Sequence, residues 1–416
     1  MKILLSAYAC DPTKGSESTV GWNWAWHLDQ AGHEVWVLTL PMWQPGIDAA
    51  LRACPVANLH FEYVPVRHFA YYHRIGGCYP HYFVWLWLAY LRARKLHRDH
   101  RFDCVHHVTY VSLRSPTLMG RLGIPFIFGP LAGGDTIPKR LRKSLSPKAR
   151  RKERLRDLSN WLLRWDPLVR SAVRSASVVA VTSDQTRNLL PRRLRSQAMS
   201  QLAVALPEFT VGNPDEKSPL LPSRDRSGVR IAYVGMLLYL KGLHLGFRAF
   251  AEMRKCIPTA QFTVIGRGPD EAWLHALASE LEIADSIEWV PWMDRNRLLD
   301  LYSQFDLLLF PSLRDSGGMV VLEALSRGVP VVCLDLGGPG VMVDETCGRK
   351  IPTANRSESE VVNAMAVEMI ALASDSGSLA ALKAGAIERA RQFTWPRALK
   401  KLYSPGFDAQ LRRRSA

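Results

Sequence analysis

Two carboxylates eight positions apart, Asp315 and Glu323, flank a Gly317-Gly318 pair, and far upstream Lys241 follows Gly235 by six positions. A carboxylate accepts hydrogen bonds from a pair of hydroxyls. Paired glycines at the start of a helix let backbone N–H groups approach a diphosphate at the helix's positive end. A lysine at a second helix start neutralises phosphate charge. Together these residue types suit a sugar nucleotide, with ribose at one acid and the sugar at the other. The spacing alone is weak. A bare D-x7-E also fits a helix-start acid at Asp315 and a solvated helix residue at Glu323.

The elements that must position these residues are legible around them. DLLLF and VPVVCLD are short apolar runs of strand length, and the segment between them has helix-forming composition and stops at Gly328, which makes a strand-helix-strand unit of a buried parallel sheet. Lys241-Gly242 opens a helix just after the strand VRIAYVG. QFTVIGRG and IEWVPW supply two further strands. The isolated G-x-G of Gly266 and Gly268 lacks the third glycine of a dinucleotide fingerprint. The first half alternates in the same way: KILLSAY, EVWVLTL, LHFEYVPV, DCVHHV, PFIF and SVVAVT read as strands, with helices over 20–31 and 82–97 and another near Ser115. Such alternation predicts a doubly wound parallel sheet, whose ligands sit at the carboxyl ends of the strands. Three loops fall there: residues 11–19 with Gly15, the His106-His107 strand end, and GPLAGGD with Gly133 and Gly134. Adjacent histidines on a strand point to opposite faces, so at most one faces a ligand.

At 416 residues the chain suits two domains of about 200 each. The apolar start is too short for a signal peptide, and the strongest apolar run, 82–91, is half of the ~20 residues that a spanning helix needs. A cytoplasmic chain is the expectation. Seven cysteines without a C-x-x-C pair point to reduced thiols rather than disulfides or zinc. The net charge of +16 is concentrated: over 139–174, thirteen Lys or Arg face only Glu153, Asp157 and Asp166, a local net of +10. Within that segment Leu155, Leu158, Trp161, Leu162 and Trp165 recur at helical spacing beside Arg150, Arg151, Lys152 and Arg154, which predicts a basic amphipathic helix. Two readings stay open for it. It lies on an anionic membrane surface, or it is a solvated basic face whose apolar stripe packs on its own domain. Nucleic acid is not expected, since no binding motif accompanies the charge.

The letters around the two acids, PS-x-x-D-x-G-G-x-x-x-x-E-A followed by GVPVV, closely resemble the E-x7-E signature of the retaining glycosyltransferases of family 4. The resemblance implies a GT-B fold, two Rossmann-like doubly wound domains facing a cleft. It implies an acceptor-side domain over 1–206, a linker over 207–228, a donor-binding domain over 229–392, and a closing helix and tail over 393–416 that cross back to the first domain. It assigns the donor sugar to Asp315 and His106 and the ribose to Glu323. The diphosphate goes to Lys241, with Gly15, Gly235, Gly317, Gly318 and Met319 lining the donor and Gly133 and Gly134 approaching substrate. Two departures are visible: Asp315 stands where the family has Glu, and Met236 where its G-R-L-x-x-x-K-G motif has Arg.

The reaction so implied moves a sugar from a nucleotide-sugar donor to a saccharide acceptor, lipid-linked, in envelope or exopolysaccharide assembly. Lys241 and helix amides would stabilise the departing diphosphate. A donor phosphate oxygen would take the acceptor's proton, so no dedicated base is named. D-x-D occurs nowhere, and a metal-independent reaction without a cofactor is expected, on the inner face of the plasma membrane. The rivals are a sugar-nucleotide epimerase on the same fold and a non-catalytic nucleotide-sugar-binding protein.

Overall fold

The computed structural model describes residues 1–15, 17–66, 78–208 and 228–403. The chain divides into two compact units, one of Met1–Gly134, Ser159–Ala203 and Pro396–Ala416, the other of Asp135–Leu158 and Val204–Trp395. Of the linker expected over 207–228, residues 209–227 lie outside the described residues, as does the tail beyond 403.

The first unit is built on β1 (Lys2–Ser6), β2 (Glu34–Thr39), β3 (Leu59–Tyr63), β4 (Cys104–His107), β5 (Phe126–Leu131), β6 (Val178–Val181) and β7 (Met199–Ser200). They form one sheet in the order β3-β2-β1-β4-β5-β6-β7. Every pairing is parallel. The strand order reverses between β1 and β4, where Leu4 faces Val105. Parallel strands covered on both faces must be apolar throughout, and β4, β5 and β6 are buried along their whole length. No helix forms near Ser115. Pro116 disfavours a helical residue before it, and the chain makes only a short 3-10 turn at Met119–Leu122. The helix Gln44–Ala53 and the edge strand β7 were not expected from the sequence.

The second unit carries β8 (Arg230–Val234), β9 (Gln261–Ile265), β10 (Ile287–Val290), β11 (Leu307–Phe310), β12 (Val331–Leu334) and β13 (Gly348–Ile351), in the order β10-β9-β8-β11-β12-β13. Here the order reverses between β8 and β11. The core includes Phe247, Phe250 and Phe262, each 0 % exposed. Ile137, Leu141, Leu145 and Ala149 belong to that same core. This explains why residues 135–158, which the sequence reading leaves in the first domain, group with the second: burying each of Ile137, Leu141 and Leu145 contributes roughly 1.5–3 kcal/mol. The last helix, Trp395–Leu402, runs into the first unit from Pro396 onward.

Candidate active site

In open parallel sheets the place where strand order reverses leaves a crevice at the carboxyl ends. In the second unit that place holds most of the residues singled out above. The loop after β8 carries Gly235, Met236 and Lys241, and the loop after β11 carries Asp315, Gly317 and Gly318, leading into the helix Met319–Ser326. Leu313 and Arg314 donate their N–H groups to the carbonyl of Leu240 at 3.0 and 3.2 Å, which ties the two loops together. Gly242 is required at this junction. Its φ is +68°, and a Cβ there would run into the carbonyl of Pro311.

Lys241 and Asp315 meet directly, Nζ to Oδ2 at 2.5 Å, with both side chains largely buried. The other oxygen of Asp315 accepts the N–H groups of Gly317 and Gly318, both at 3.0 Å. This corrects the expectation for the glycine pair, because those two amides are turned onto the protein's own carboxylate rather than outward. Gly318 sits at φ +72° and starts the helix. The first amide of the helix proper is that of Met319. On the far side of Asp315, its carbonyl accepts the N–H of Gly338 at 2.8 Å, so the Gly337-Gly338 stretch braces this loop.

Glu323 lies one helical turn into the protein and its side chain is only 5 % exposed. Its partner is Arg295, Nε to Oε1 at 2.5 Å. Burial pushes the Glu323 carboxyl above the usual range, and Arg295 opposes that shift. Tyr302 is fully buried nearby, its hydroxyl raised well above the ordinary value by burial and then by the Glu323 charge. Arg295 escaped the sequence reading: it follows β10 in a DRNR run with no motif around it, and only the fold brings it to Glu323. Met236 projects into solvent, 57 % exposed, while its carbonyl accepts the Tyr233 hydroxyl at 3.0 Å. Gly235 closes β8, its N–H bonded to the carbonyl of Ile265 at 3.0 Å.

The first unit holds the remaining residues. Gly15 lies in the open loop after β1, with nothing near its Cα where a side chain would be. The neighbouring Ser16 lies outside the described residues. His106 does not present itself to a ligand. It is 0 % exposed; its Nε2 lies 2.7 Å from the Gly129 carbonyl and its Nδ1 2.6 Å from the Tyr403 hydroxyl. The carbonyl can only accept, so Nε2 donates to it. Burial lowers the pKa of the ring to about 3, so the ring is neutral and Nδ1 accepts from the Tyr403 hydroxyl. His107 is equally buried between Ser6 and Tyr82 and is lowered to about 3 for the same reason. Gly133 and Gly134 face their own protein too. The Gly134 N–H donates to Thr186 Oγ1 at 3.2 Å and its carbonyl accepts from Asn160 at 2.9 Å. Arg114 donates to the carbonyl of Gly133.

The basic helix, Pro147–Leu163, has a definite sidedness. Arg150, Arg151, Lys152 and Arg154 are exposed. So are Leu155, Leu158, Trp161 and Leu162, and beyond the helix Trp165 and Leu168, each more than half exposed. The buried positions are instead Ala149, Glu153, Asn160 and Leu163. The apolar stripe is therefore exposed rather than packed inward. Among the described residues no single helix is long and apolar enough to cross a membrane.

Two doubly wound units, the second with an acid and a lysine converging where its strand order reverses, define a chain of the GT-B type. The lipopolysaccharide outer core galactosyltransferase WaaB matches it over 98 % of this chain and 100 % of that one, at TM-score 0.63 and 14 % identity. HepE of Anabaena in complex with UDP matches over 97 % and 98 %, at 0.63 and 16 %. Residues 223–356 match the family described as "Glycosyl transferases group 1" and residues 18–200 that described as "Glycosyltransferase Family 4". The chain belongs to the family 4, or group 1, glycosyltransferases. Among curated relatives, a D-inositol 3-phosphate glycosyltransferase of Actinosynnema mirum is 28 % identical over 75 % of this chain and 74 % of its own length. The glycogen synthase of Mycobacterium tuberculosis is 32 % identical over 33 % of this chain, and the match spans only 34 % of that relative's length.

Proposed function

We propose that the chain is a retaining, metal-independent transferase that moves a sugar from a nucleotide-sugar donor to a lipid-linked saccharide in envelope or exopolysaccharide assembly. The observation that carries this reading is the Lys241–Asp315 contact at the reversal of the second sheet. Donor binding would exchange partners there. Lys241 would turn from Asp315 to the diphosphate, supplying positive charge where negative charge develops as the bond to the sugar breaks. Asp315 would then be left to accept sugar hydroxyls. Glu323, with Arg295 drawn aside, would accept both ribose hydroxyls. HepE, a protein of this fold, is by its title a UDP complex, which supports a nucleoside diphosphate as a ligand here.

The acceptor side rests on the basic helix. Four exposed cations beside an exposed stripe of Leu and Trp fit an anionic membrane surface, each cation that reaches it contributing roughly 1 kcal/mol. A cytoplasmic protein held on the inner face of the plasma membrane would meet lipid-linked saccharides there. WaaB, by its name a lipopolysaccharide enzyme, agrees with such an acceptor.

The test is a panel of nucleotide sugars incubated with the chain, with and without lipid-linked saccharides. Release of nucleoside diphosphate that requires the acceptor supports the proposal. Conversion of a nucleotide sugar to its epimer without acceptor would replace it with the isomerase reading, and tight binding without turnover on any acceptor would favour a binding protein.

A further inference from the structure

The inner face of the basic helix holds one residue that the proposed mechanism does not use. Glu153 is 0 % exposed although its neighbours Lys152 and Arg154 face solvent. Both of its carboxylate oxygens accept from Arg314 Nη1, at 2.7 and 3.0 Å, and Oε1 also accepts from the Tyr239 hydroxyl at 3.3 Å. Arg314 is the residue immediately before Asp315. Tyr239 stands two before Lys241, in the short 3-10 turn Tyr239–Lys241. One carboxylate thus bonds a residue from each loop of the proposed donor site, the two loops that the Lys241–Asp315 contact also joins.

A buried ion pair is a poor source of net stability, because desolvating the two charges offsets most of their attraction. What this pair does supply is geometry. One nitrogen of the Arg314 guanidinium bonds both oxygens of the carboxylate, which ties the residue before Asp315 to the basic helix. The helix itself is held in the second unit by the two-bond Arg142–Asp157 pair, at 2.7 and 2.9 Å. We infer that Glu153 is a positioning residue, which sets Asp315 and Lys241 for the donor through Arg314 and Tyr239. The inference rests on the donor-site reading above.

The experiment measures, on the full chain by calorimetry, the dissociation constant of whichever of UDP, GDP or ADP the wild type binds tightest. Lys241→Ala tests the donor site itself. If it binds that nucleotide like the wild type, or if the wild type binds none, the donor-site reading falls and this inference with it. With Lys241→Ala impaired, Glu153→Gln should weaken binding about tenfold. Most of that effect should vanish when Glu153→Gln is combined with Lys241→Ala, since on a sugar-free nucleotide the residue acts through the Lys241 loop. An effect that persists in full beside Lys241→Ala would mean that Glu153 merely supports the fold, and wild-type affinity in Glu153→Gln would overturn the inference outright. Should Glu153→Gln fail to fold, Tyr239→Phe removes only one bond of the clamp and should weaken binding about threefold with an unchanged denaturation midpoint. Wild-type affinity there would equally overturn it.

Discussion

Arg295 Nε lies 2.5 Å from Glu323 Oε1, and the arginine is 44 % exposed where the glutamate is 5 % exposed. A solvent-facing guanidinium therefore caps a carboxylate that the helix Met319–Ser326 has carried into the protein. The cap is removable. Arg295 can return to water at little cost, whereas Glu323 has nowhere to go.

That asymmetry predicts opposite effects of one substitution on stability and function. The Glu323 carboxyl is raised in the folded state by burial, so the stability linked to it is present below the ordinary glutamate range and is lost as pH rises through the raised value. At neutral pH the charged form is a burden on the fold. Glu323→Gln should raise the melting temperature at pH 7 while costing at least ~2 kcal/mol of transition-state stabilisation, about 30-fold in kcat/KM. Thermal denaturation and steady-state kinetics on the same preparation check both signs.

Three of the buried histidines give a second pH dependence of the opposite sense. His106, His107 and His244 are lowered to about 3 by burial, far under the unfolded value near 6.5. Their contribution to stability is present above pH 6.5 and is lost as pH falls towards 3, by about 1.4 kcal/mol per pH unit for each histidine. Urea denaturation between pH 7 and pH 5 should show this slope, and His107→Asn should make it shallower. A slope left unchanged by His107→Asn would mean that this ring is not held neutral in the fold.

How far the sequence revealed the site depends on whether a residue's partner is local. Asp315, Gly317, Gly318 and Glu323 share one loop and helix, so their grouping was legible from spacing. Lys241 followed from its glycine and the helix start. Arg295 and Arg314 find Glu323 and Glu153 only through tertiary packing, and nothing near them in the chain announces it. Periodicity identified the stripe of Leu155, Leu158, Trp161, Leu162 and Trp165 but not which way it faces. It also could not say that Ile137, Leu141 and Leu145 fill the second core. The surroundings of His106 were hidden for a related reason: a strand-end histidine looks the same in sequence whether it faces solvent or, as here, bonds Gly129 and Tyr403.

The exposed stripe predicts binding to vesicles. Attachment should require anionic lipid and weaken with salt, because exposed charges are screened. The combined change of Arg150, Arg151, Lys152 and Arg154 to Gln should lose about 4 kcal/mol at low salt if every cation reaches the surface. Sedimentation with vesicles of defined anionic content measures it. Activity on a soluble acceptor analogue should survive in that variant. A wild type that ignores anionic vesicles at low salt would remove the physical support for a lipid-linked acceptor.

Met236 stands exposed just after β8, at the Arg position of the G-R-L-x-x-x-K-G motif that this stretch resembles. Met236→Arg should tighten nucleoside diphosphate binding by roughly 1–2 kcal/mol if the position faces phosphate. Calorimetry decides it, and an unchanged dissociation constant would mean that the side chain points elsewhere in the bound state.

The central claim is that Lys241 supplies the charge for a departing diphosphate, and the most direct measurement is acceptor-dependent nucleotide release by Lys241→Ala after exhaustive chelation of metals. The account predicts that the chelated wild type keeps its full rate, and that the folded variant loses at least ~2 kcal/mol in kcat/KM, about 30-fold. A wild-type rate in Lys241→Ala, or a wild-type enzyme that chelation stops and magnesium or manganese restarts, would contradict it.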